Sequence, residues 1–322
     1  MKAIVQYAYG AEDVLVLRDI DRPVPRDDEV LVEVRAAGVG PEVWHLMTGK
    51  PYVARAVLGL RRPRNPVRGW DGAGRVVAAG AKVTGFGPGD EVFGTCPGSF
   101  AEYARAKADR VVLKPADLTF EQAAALPVSG MTALQALSGT SRPRPGQRVL
   151  VIGASGGVGT YAVQLATVYG AEVTGVCGPA GADLVRSLGA THVIDYTRQE
   201  ITDGPYRYDV IVDNAGLRPL PVLRRALTPR GTLVIVGGEG GSGFLGGMSR
   251  DLRAVLLSPF RTQNLRNLIS LTRREDLLAL KDLAEKKQIT PVIDRTYPLA
   301  EAPAALHHLR HGHPRGKLVV TV

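Results

Sequence analysis

The pattern of hydrophobic and polar positions changes near residue 121 of the chain. Before this point, short apolar segments of the β type, such as Val30–Val34, Gly74–Ala78 and Asp90–Phe93, are separated by Gly and Pro. Runs such as Gly87-Pro88-Gly89-Asp90 are typical of tight turns. Many short strands with few long helical patterns predict a small β-rich, barrel-like domain over residues 1–122.

Apolar strands and helical segments alternate over residues 123–264. The strands are continuously apolar rather than alternating, which is typical of strands buried on both faces of a parallel sheet. We predict a helix over Phe120–Leu137 and later helices over Val158–Tyr169 and Gly181–Leu188. The predicted strands are Arg148–Gly153, Glu172–Cys177, His192–Asp195, Tyr208–Asp213 and Thr232–Val236. This order predicts an α/β domain with a doubly wound parallel sheet.

The last part of the chain has a third pattern. Residues 239–264 open with a glycine-rich loop and continue as a predicted helix. Asp276–Lys287 is predicted as a helix with Leu277, Leu280 and Leu283 on one face. The closing strand Gly316–Val322 has no place in the parallel sheet. We therefore predict that residues 265–322 return to the first domain.

A glycine-rich turn follows the first strand of the parallel sheet. Glycines let the backbone approach a pyrophosphate, and the following helix supplies free N–H groups and the positive end of its dipole. The alternative is a tight strand–helix packing turn with no ligand. The strand and helix on either side favour a dinucleotide site, for which the sequence predicts Ala154, Ser155, Gly156, Gly157, Val158 and Gly159 as contacts.

The end of the next strand bears on the choice of cofactor. Folds that bind NAD usually carry Asp or Glu about 20 residues after the glycine turn, where it binds the ribose hydroxyls. This chain has Cys177 and Gly178 there. The missing carboxylate removes a charge that would repel a 2′-phosphate, although it supplies no binder itself. We predict NADPH, with Cys177 and Gly178 as cofactor contacts and Arg186 and Arg198 near the phosphate.

Composition and charge narrow the class of protein. Of 322 residues, 45% are hydrophobic and 22% are charged, an ordinary globular balance. The net charge of +9 is spread along the chain, so we interpret it as an arginine-rich surface rather than a nucleic-acid site. The sequence shows no apolar run long enough for a membrane helix and no signal-peptide core. Two cysteines cannot form a disulfide framework, and we expect a cytoplasmic protein.

Motifs along nearly the whole chain resemble the medium-chain dehydrogenase/reductase superfamily, specifically its zinc-free quinone oxidoreductase (zeta-crystallin-like) branch. The resemblance implies a GroES-like catalytic domain, a Rossmann cofactor domain and a cleft between them. It also implies a homodimer that pairs through the edge of the Rossmann sheet, near Thr232–Val236. The motifs that carry it are Gly72–Val77, Pro88–Gly94, Leu126–Ala133, Ser155–Gly159, Leu188–Ala190, Thr290–Asp294 and Arg315–Lys317.

The resemblance also implies roles for single residues. Thr132 is expected beside the nicotinamide, and Gly237 and Gly238 are expected to line its pocket. Tyr196 matches a tyrosine that touches the 2′-phosphate in related reductases. Tyr52 falls within one residue of a proton-donating tyrosine of related enoyl-thioester reductases, with a ring that only packs in the cleft wall as the alternative. The predicted cofactor contacts also include Asn214 and Lys317.

Metal ligands are scarce in the sequence. Zinc needs three or four soft or imidazole ligands, and Trp70-Asp71 stands where zinc alcohol dehydrogenases of this superfamily carry His-Glu. His307 and His311 have the i, i+4 spacing that can face one metal, but no third ligand is evident. Histidines near a helix C-terminus also interact favourably with the helix dipole. We therefore predict no metal.

The sequence thus predicts an NADPH-dependent enzyme that reduces a quinone or an α,β-unsaturated carbonyl compound by hydride transfer without zinc. Its partner is expected to be a small-molecule substrate, with no nucleic acid and no membrane. Two alternatives stay open. One is an alcohol dehydrogenase or carbonyl reductase, and the other is a non-catalytic protein that binds NADPH.

Overall fold

The computed structural model describes residues 1–237 and 262–322. The described chain forms two compact units. The first unit combines Met1–Met131 with Thr272–Val322, and the second is Thr132–Leu271. The end of the chain therefore rejoins its beginning, as the closing strand predicts. The units divide after Met131 and after Leu271, rather than after the predicted residues 122 and 264.

The first unit is built on two sheets. A small antiparallel pair joins β1 (Lys2–Val5) and β2 (Val16–Asp19). The strands of the larger sheet are β3 (Glu29–Val39), β4 (Asp71–Ala79), β5 (Glu91–Thr95), β6 (Tyr103–Lys107), β7 (Val111–Leu113), β14 (Ile293–Pro298) and β15 (Lys317–Thr321). Their order in the sheet is β14-β15-β3-β4-β5-β7, and β6 also pairs with β3.

Strand β3 is the centre of the larger sheet. It pairs antiparallel with β4, β6 and β15, and Leu318 lies opposite Val39 in the last of these pairs. Buried Val, Leu and Ala side chains of β3, such as Val30, Val32 and Ala37, lie in the main core of the unit. The pairing of β15 with β3 confirms that Lys317–Thr321 forms a strand of the first unit.

Short helices accompany these strands. They are α1 (Pro41–Thr48), α2 (Arg55–Leu58), α3 (Phe120–Ala124), α4 (Pro127–Ala136), α8 (Arg274–Glu285) and α9 (Ala302–His311). The second unit adds α5 (Gly157–Val168), α6 (Ala182–Ser187) and α7 (Leu220–Ala226). Of the helices in the described ranges, none is both long and apolar enough to cross a membrane.

The second unit is a six-stranded parallel sheet with the order β10-β9-β8-β11-β12-β13. The chain starts at β8 in the middle, builds one side, and then returns to build the other, so the predicted doubly wound sheet is confirmed. In such sheets, ligands bind at the carboxyl ends of the strands where the order reverses, here between β8 and β11. The strands are β8 (Arg148–Ile152), β9 (Glu172–Cys177), β10 (His192–Asp195), β11 (Tyr208–Asp213), β12 (Leu227–Ile235) and β13 (Asn264–Asn267).

The single helix predicted over Phe120–Leu137 is wrong. Two helices, α3 and α4, replace it, and the break comes just before Pro127. Proline disfavours helical geometry in the residue before it and has no N–H to continue the helix, so a new helix begins at the proline. Thr119 and Gln122 form a reciprocal capping box that fixes the start of α3.

Strand β13 is a second departure. Most of the predicted loop and helix over 239–264 lies outside the described residues, but Asn264 opens a strand rather than continuing a helix. The strand β12 that contains Thr232 is paired on both sides, with β11 and with β13. Within the described residues, β13 is therefore the end of the sheet on this side. Pairing of two copies through this edge stays a prediction.

Candidate functional site

The glycine turn connects β8 to α5 and is anchored to the neighbouring strand. The backbone N–H groups of Gly153 and Ala154 both donate to the Val176 carbonyl at 3.0 Å. Gly153 has a φ of 74°, a left-handed conformation that favours glycine. The Gly156 N–H then donates to the Gly153 carbonyl at 3.1 Å, which closes the turn. The predicted Ala154–Gly159 contacts therefore share one compact loop.

Gly159 lets the helix approach the turn closely. A Cβ atom at this position would lie 2.0 Å from the Gly153 carbonyl oxygen and 2.8 Å from Ala154 backbone atoms. Gly156 differs, because a Cβ there would meet only the Gly153 oxygen, at 3.5 Å. The structure thus assigns Gly159 to strand–helix packing and leaves the space beside Gly156 open.

Helix α5 begins without a side-chain cap. Its N-cap residue is Gly156, and no side chain accepts a hydrogen bond from the first turn. The backbone N–H groups at a helix start lack partners within the helix, and the helix dipole is positive there. The turn is therefore suited to an anionic group such as a pyrophosphate.

Asn214 meets this turn at the carboxyl end of β11, and Gly237, after β12, packs against Asn214. The Asn214 backbone N–H and Nδ2 both donate to the Ile152 carbonyl at 3.1 Å. Its Oδ1 is buried without a hydrogen-bond partner, so this acceptor is available to a donor on a ligand. A Cβ at Gly237 would lie 2.0 Å from the Asn214 carbonyl oxygen. Gly238 lies outside the described residues.

Cys177, Gly178 and Tyr196 form a second cluster of predicted contacts, at the ends of β9 and β10. The Tyr196 N–H donates to the Cys177 carbonyl at 3.3 Å, and the phenol ring lies 3.6 Å from the Cβ position of Gly178. Tyr196 is half exposed, at 53%. Cys177 is buried, and burial raises the pKa of its thiol above the usual value. We therefore assign the Cys177 side chain to packing.

The arginines of the same region are exposed ion-pair partners. Arg186 pairs with Asp183 at 3.0 Å, and Arg198 pairs with Asp195 at 3.7 Å. Hydrogen bonds donated by Thr197 hold the pKa of Asp195 below its usual value. Exposed ion pairs contribute little to stability. Both guanidinium groups can therefore exchange their partner for a phosphate at low cost.

Two predicted contacts lie elsewhere. Thr132 is buried in α4, where the second unit begins, and Lys317 opens β15 in the first unit. Lys317 is only 2% exposed, and its Nζ has no hydrogen-bond partner. A buried ammonium group without a partner is costly, so this side chain either binds a ligand atom or balances nearby charge.

Asp71 is a residue that the sequence reasoning missed as a site. It is fully buried at the start of β4. Its Oδ2 accepts a hydrogen bond from the Val128 N–H at 3.0 Å, whereas its Oδ1 has no hydrogen-bond partner. Burial, and then the charge of Glu42, raise the pKa of Asp71 to about 8, while Lys317 opposes the shift. A buried Oε1 of Glu42 also lacks a partner. These three groups form a buried polar cluster, defined by Glu42, Asp71 and Lys317.

The predicted proton donor Tyr52 lies in the first unit, in a short turn, Tyr52–Ala54. Its side chain is half exposed, at 43%, and the Arg55 guanidinium lies 4.8 Å from the centre of its ring. Arg55 also lies over the ring of Tyr9 and donates to the Gly49 carbonyl at 3.1 Å. The Tyr52 hydroxyl makes no hydrogen bond within the described ranges and is available to a substrate.

Comparison with known proteins gives the same assignment for the whole chain. Residues 26–116 match the alcohol dehydrogenase GroES-like domain, and residues 188–320 match the zinc-binding dehydrogenase family. Quinone oxidoreductase from Mus musculus is 33% identical over 99% of this chain and 97% of its own length. The chain is a member of the quinone oxidoreductase branch of the medium-chain dehydrogenase/reductase superfamily.

Two further proteins illustrate the range of this branch. A chloroplastic NADPH-dependent alkenal/one oxidoreductase from Arabidopsis thaliana is 32% identical over 99% of this chain and 79% of its own length. The crystal structure of Escherichia coli quinone oxidoreductase complexed with NADPH matches with a TM-score of 0.85 and 25% identity, and 100% of both chains is covered. The predicted resemblance is confirmed.

One of the matched families is described as zinc-binding, and the residues near Asp71 do not fit zinc. Trp70 offers no ligand atom. Burial, and then the charge of Asp71, raise the pKa of the nearby Cys96 thiol to about 12. Cys96 is the one sulfur ligand near Asp71 in the described ranges, and zinc needs three or four ligands. Among the residues of the two described ranges, no set of three potential metal ligands converges at Asp71.

The contrast between Gly156 and Gly159 is testable. We expect Gly159→Ala to lower the stability by about 1–3 kcal/mol, because its Cβ would overlap backbone atoms that cannot move aside. Gly156→Ala should cost no more than about 1 kcal/mol, the usual effect of alanine at an N-cap, since its φ of −82° suits any residue and its Cβ meets no close atom. Chemical denaturation of both variants measures the difference. Equal loss of stability in both would contradict the packing role of Gly159.

The buried carboxyl of Asp71 gives a second prediction. Because its folded-state pKa of about 8 exceeds the unfolded value of about 3.9, the folded state retains a proton that the unfolded state has lost. The contribution of Asp71 to the unfolding free energy is therefore greatest below about pH 4 and falls as the pH rises to about 8. Asp71→Asn removes this dependence.

We expect the melting temperature of Asp71→Asn, relative to that of the wild-type protein, to rise steadily between pH 5 and pH 8. Asp117→Asn, at an exposed carboxylate of the same unit, is the charge-matched control. Parallel pH profiles for the wild-type protein and Asp71→Asn would show that Asp71 is not held protonated by the fold.

Proposed function

We propose that this protein is an NADPH-dependent reductase of quinones and α,β-unsaturated carbonyl compounds that transfers hydride without zinc. The observation that carries the proposal is the uncapped glycine turn beside the unpartnered Oδ1 of Asn214. Both lie at the carboxyl ends of β8 and β11, where doubly wound sheets bind nucleotides. The absence of a carboxylate at the end of β9 favours a cofactor that carries a 2′-phosphate.

The residues of the chain bind and orient the reactants in this proposal. The N–H groups at the start of α5 bind the pyrophosphate, and Asn214 accepts a hydrogen bond from the cofactor. Arg186, Arg198 and the Tyr196 hydroxyl bind the 2′-phosphate. Hydride is the chemistry that bound NADPH supplies to an electron-poor carbon.

A proton must follow the hydride when the substrate is an enone, because hydride addition at the β-carbon leaves an enolate. The enolate oxygen needs a hydrogen-bond donor. We assign this role to the Tyr52 hydroxyl, which is exposed and makes no other hydrogen bond in the described ranges. The guanidinium of Arg55 lies over the ring, 4.8 Å from its centre, and packs against the side chain that carries this hydroxyl.

The composition of the buried polar cluster supports a zinc-free reaction. Alcohol dehydrogenases that use zinc polarise the substrate oxygen with the metal, and the residues around Asp71 do not supply its ligands. This makes zinc-dependent alcohol oxidation a weaker candidate. A non-catalytic protein that binds NADPH would have the same binding site for the cofactor but would not turn over any substrate.

Turnover with a substrate panel is therefore the direct test. We expect NADPH oxidation with benzoquinones, naphthoquinones or short enones, and unchanged rates after the protein is treated with EDTA and dialysed. Primary and secondary alcohols with NADP⁺ should give no comparable rate. Activity that disappears on chelation and returns with zinc would overturn the zinc-free reaction. NADPH binding without turnover of any substrate would favour the non-catalytic alternative.

The cofactor preference rests on the arginines near Tyr196. A charge-assisted hydrogen bond to the 2′-phosphate is worth about 1.5–3 kcal/mol, so the loss of one arginine should weaken NADPH binding by roughly tenfold or more. We expect Arg186→Gln or Arg198→Gln to do this while NADH affinity stays unchanged. Arg225→Gln, at an exposed arginine on α7, is the charge-matched control. Fluorescence titrations that give equal affinities for NADPH and NADH in the wild-type protein would refute the preference.

The role of Tyr52 is tested by Tyr52→Phe, which removes the hydroxyl and keeps the ring beneath Arg55. General acid catalysis typically contributes about 10²–10⁴-fold. We expect kcat with the best enone to fall at least tenfold and NADPH affinity to stay unchanged. Quinone reduction should fall less, because a quinone oxygen can take its proton from water. A loss of less than twofold with the enone would leave Tyr52 as part of the wall of the site.

A further inference from the structure

Two exposed histidines lie together on the solvent side of α9. His307 and His311 are one helical turn apart, and their ring centroids are 4.6 Å apart. The opposite side of the helix is buried through Ala302, Ala305 and Leu306. Because packing fixes that side, the two imidazoles are presented to solvent from a rigid element.

The sequence shows no third ligand for these histidines and therefore predicts no metal, but the structure supplies a third potential ligand from the other end of the chain. Glu12 opens a short turn, Glu12–Val14, and the following Leu15 is buried in the same core cluster as Leu306. One carboxylate oxygen of Glu12 and one nitrogen of each histidine lie within 4.8 Å of one another. In the described ranges, this is the one group of three such side chains that converges in this way.

The neighbouring histidines have other environments. His308 lies on the same helix, but its Nδ1 is 2.7 Å from the Tyr297 hydroxyl and its Nε2 is 3.7 Å from an Asp294 oxygen. His313 lies beyond the helix with a φ of 48°. The group of Glu12, His307 and His311 is thus distinct from the hydrogen-bonded His308.

We propose that Glu12, His307 and His311 form a surface site for a divalent transition metal such as Zn²⁺. Zinc binds imidazole nitrogen and carboxylate oxygen at about 2.0–2.2 Å, so small side-chain rotations bring the three atoms onto one ion. Two imidazoles select Zn²⁺, Ni²⁺ or Cu²⁺ over Mg²⁺ and Ca²⁺, which prefer oxygen ligands. Water completes the coordination, because both histidines are exposed.

The bound ion links the N-terminal turn to the C-terminal helix. An ion that binds the folded protein and not the unfolded chain raises the melting temperature by mass action. The site does not rest on the proposed function, and it lies outside the group of residues assigned to it. Its loss should therefore leave NADPH-dependent turnover unchanged.

Calorimetric titration of zinc chloride into EDTA-treated, dialysed full-length protein tests the site. We expect one zinc per chain and a higher melting temperature in zinc. His307→Ala and His311→Ala should each weaken zinc binding at least tenfold, and Glu12→Gln should weaken it less. His313→Asn removes an exposed imidazole at a left-handed position that asparagine tolerates, and this control should bind zinc like the wild-type protein.

The melting temperature of each variant in EDTA shows whether it folds like the wild-type protein. Magnesium chloride in place of zinc should give no saturable binding. The proposal is overturned if zinc does not bind stoichiometrically, or if His307→Ala and His311→Ala bind it as tightly as the wild-type protein does. Zinc binding that His313→Asn abolishes would also overturn it, because the ligand set would then be different.

Discussion

The first unit depends on strand β3, which must be paired on both sides along its length. Its second half lies between β4, from the first stretch of the chain, and β15, from the last. Gly38 sits at the crowded point of this arrangement, opposite both Asp71 and Val319. A Cβ at Gly38 would lie 2.6 Å from the Ala124 carbonyl oxygen and 3.1 Å from the Asp71 Cβ. Without a side chain at this position, the buried polar cluster can form beside the strand.

The pairing of β3 with β4 and with β15 also places two ionisable residues, Asp71 and Lys317, in the core of this unit. A lone carboxylate in such a place would be strongly disfavoured, and the fold meets this cost by raising the pKa of Asp71 and by placing Lys317 within electrostatic reach. Partner-free atoms on Glu42, Asp71 and Lys317 show that internal hydrogen bonds do not satisfy the cluster completely. A buried polar group without a partner inside the protein calls for one from outside it, such as an ordered water, an ion or a ligand. The cluster is therefore a functional candidate rather than a source of stability.

The sequence predicts local features well and long-range ones poorly. The strands of the second unit are predictable because continuous apolar runs, such as Val149–Ile152, are typical of strands that are buried on both faces of a sheet. The glycine turn is predictable because Gly153 adopts a left-handed conformation and Gly159 packs directly against backbone atoms. By contrast, Asn264-Leu265-Arg266-Asn267 forms a strand with one buried side chain, and its pattern resembles a polar loop. Pro127 marks the break between α3 and α4, but the apolar residues around it give the pattern of one continuous helix.

Juxtapositions between distant segments were beyond the reach of sequence patterns. Asp71 reads as a polar residue at the start of a strand, and nothing local shows that β15 brings Lys317 towards it. Glu12 reads as a surface residue of an N-terminal turn, and only the shared core of Leu15 and Leu306 places it beside the histidines of α9. In each case, the decisive information is which elements pack together, and this is a property of the whole fold.

The two glycines of the cofactor turn show how structural and functional constraints can be separated. Gly159 is required by backbone atoms of the protein itself, because a Cβ there would overlap the Gly153 carbonyl oxygen. Gly156 meets no such obstacle, and its own backbone conformation is open to every residue. Packing within the unit therefore gives no reason for glycine at this position. Two other constraints apply, because Gly156 is the N-cap of α5, where glycine is preferred over alanine, and the missing side chain leaves room for a ligand to approach the start of the helix closely.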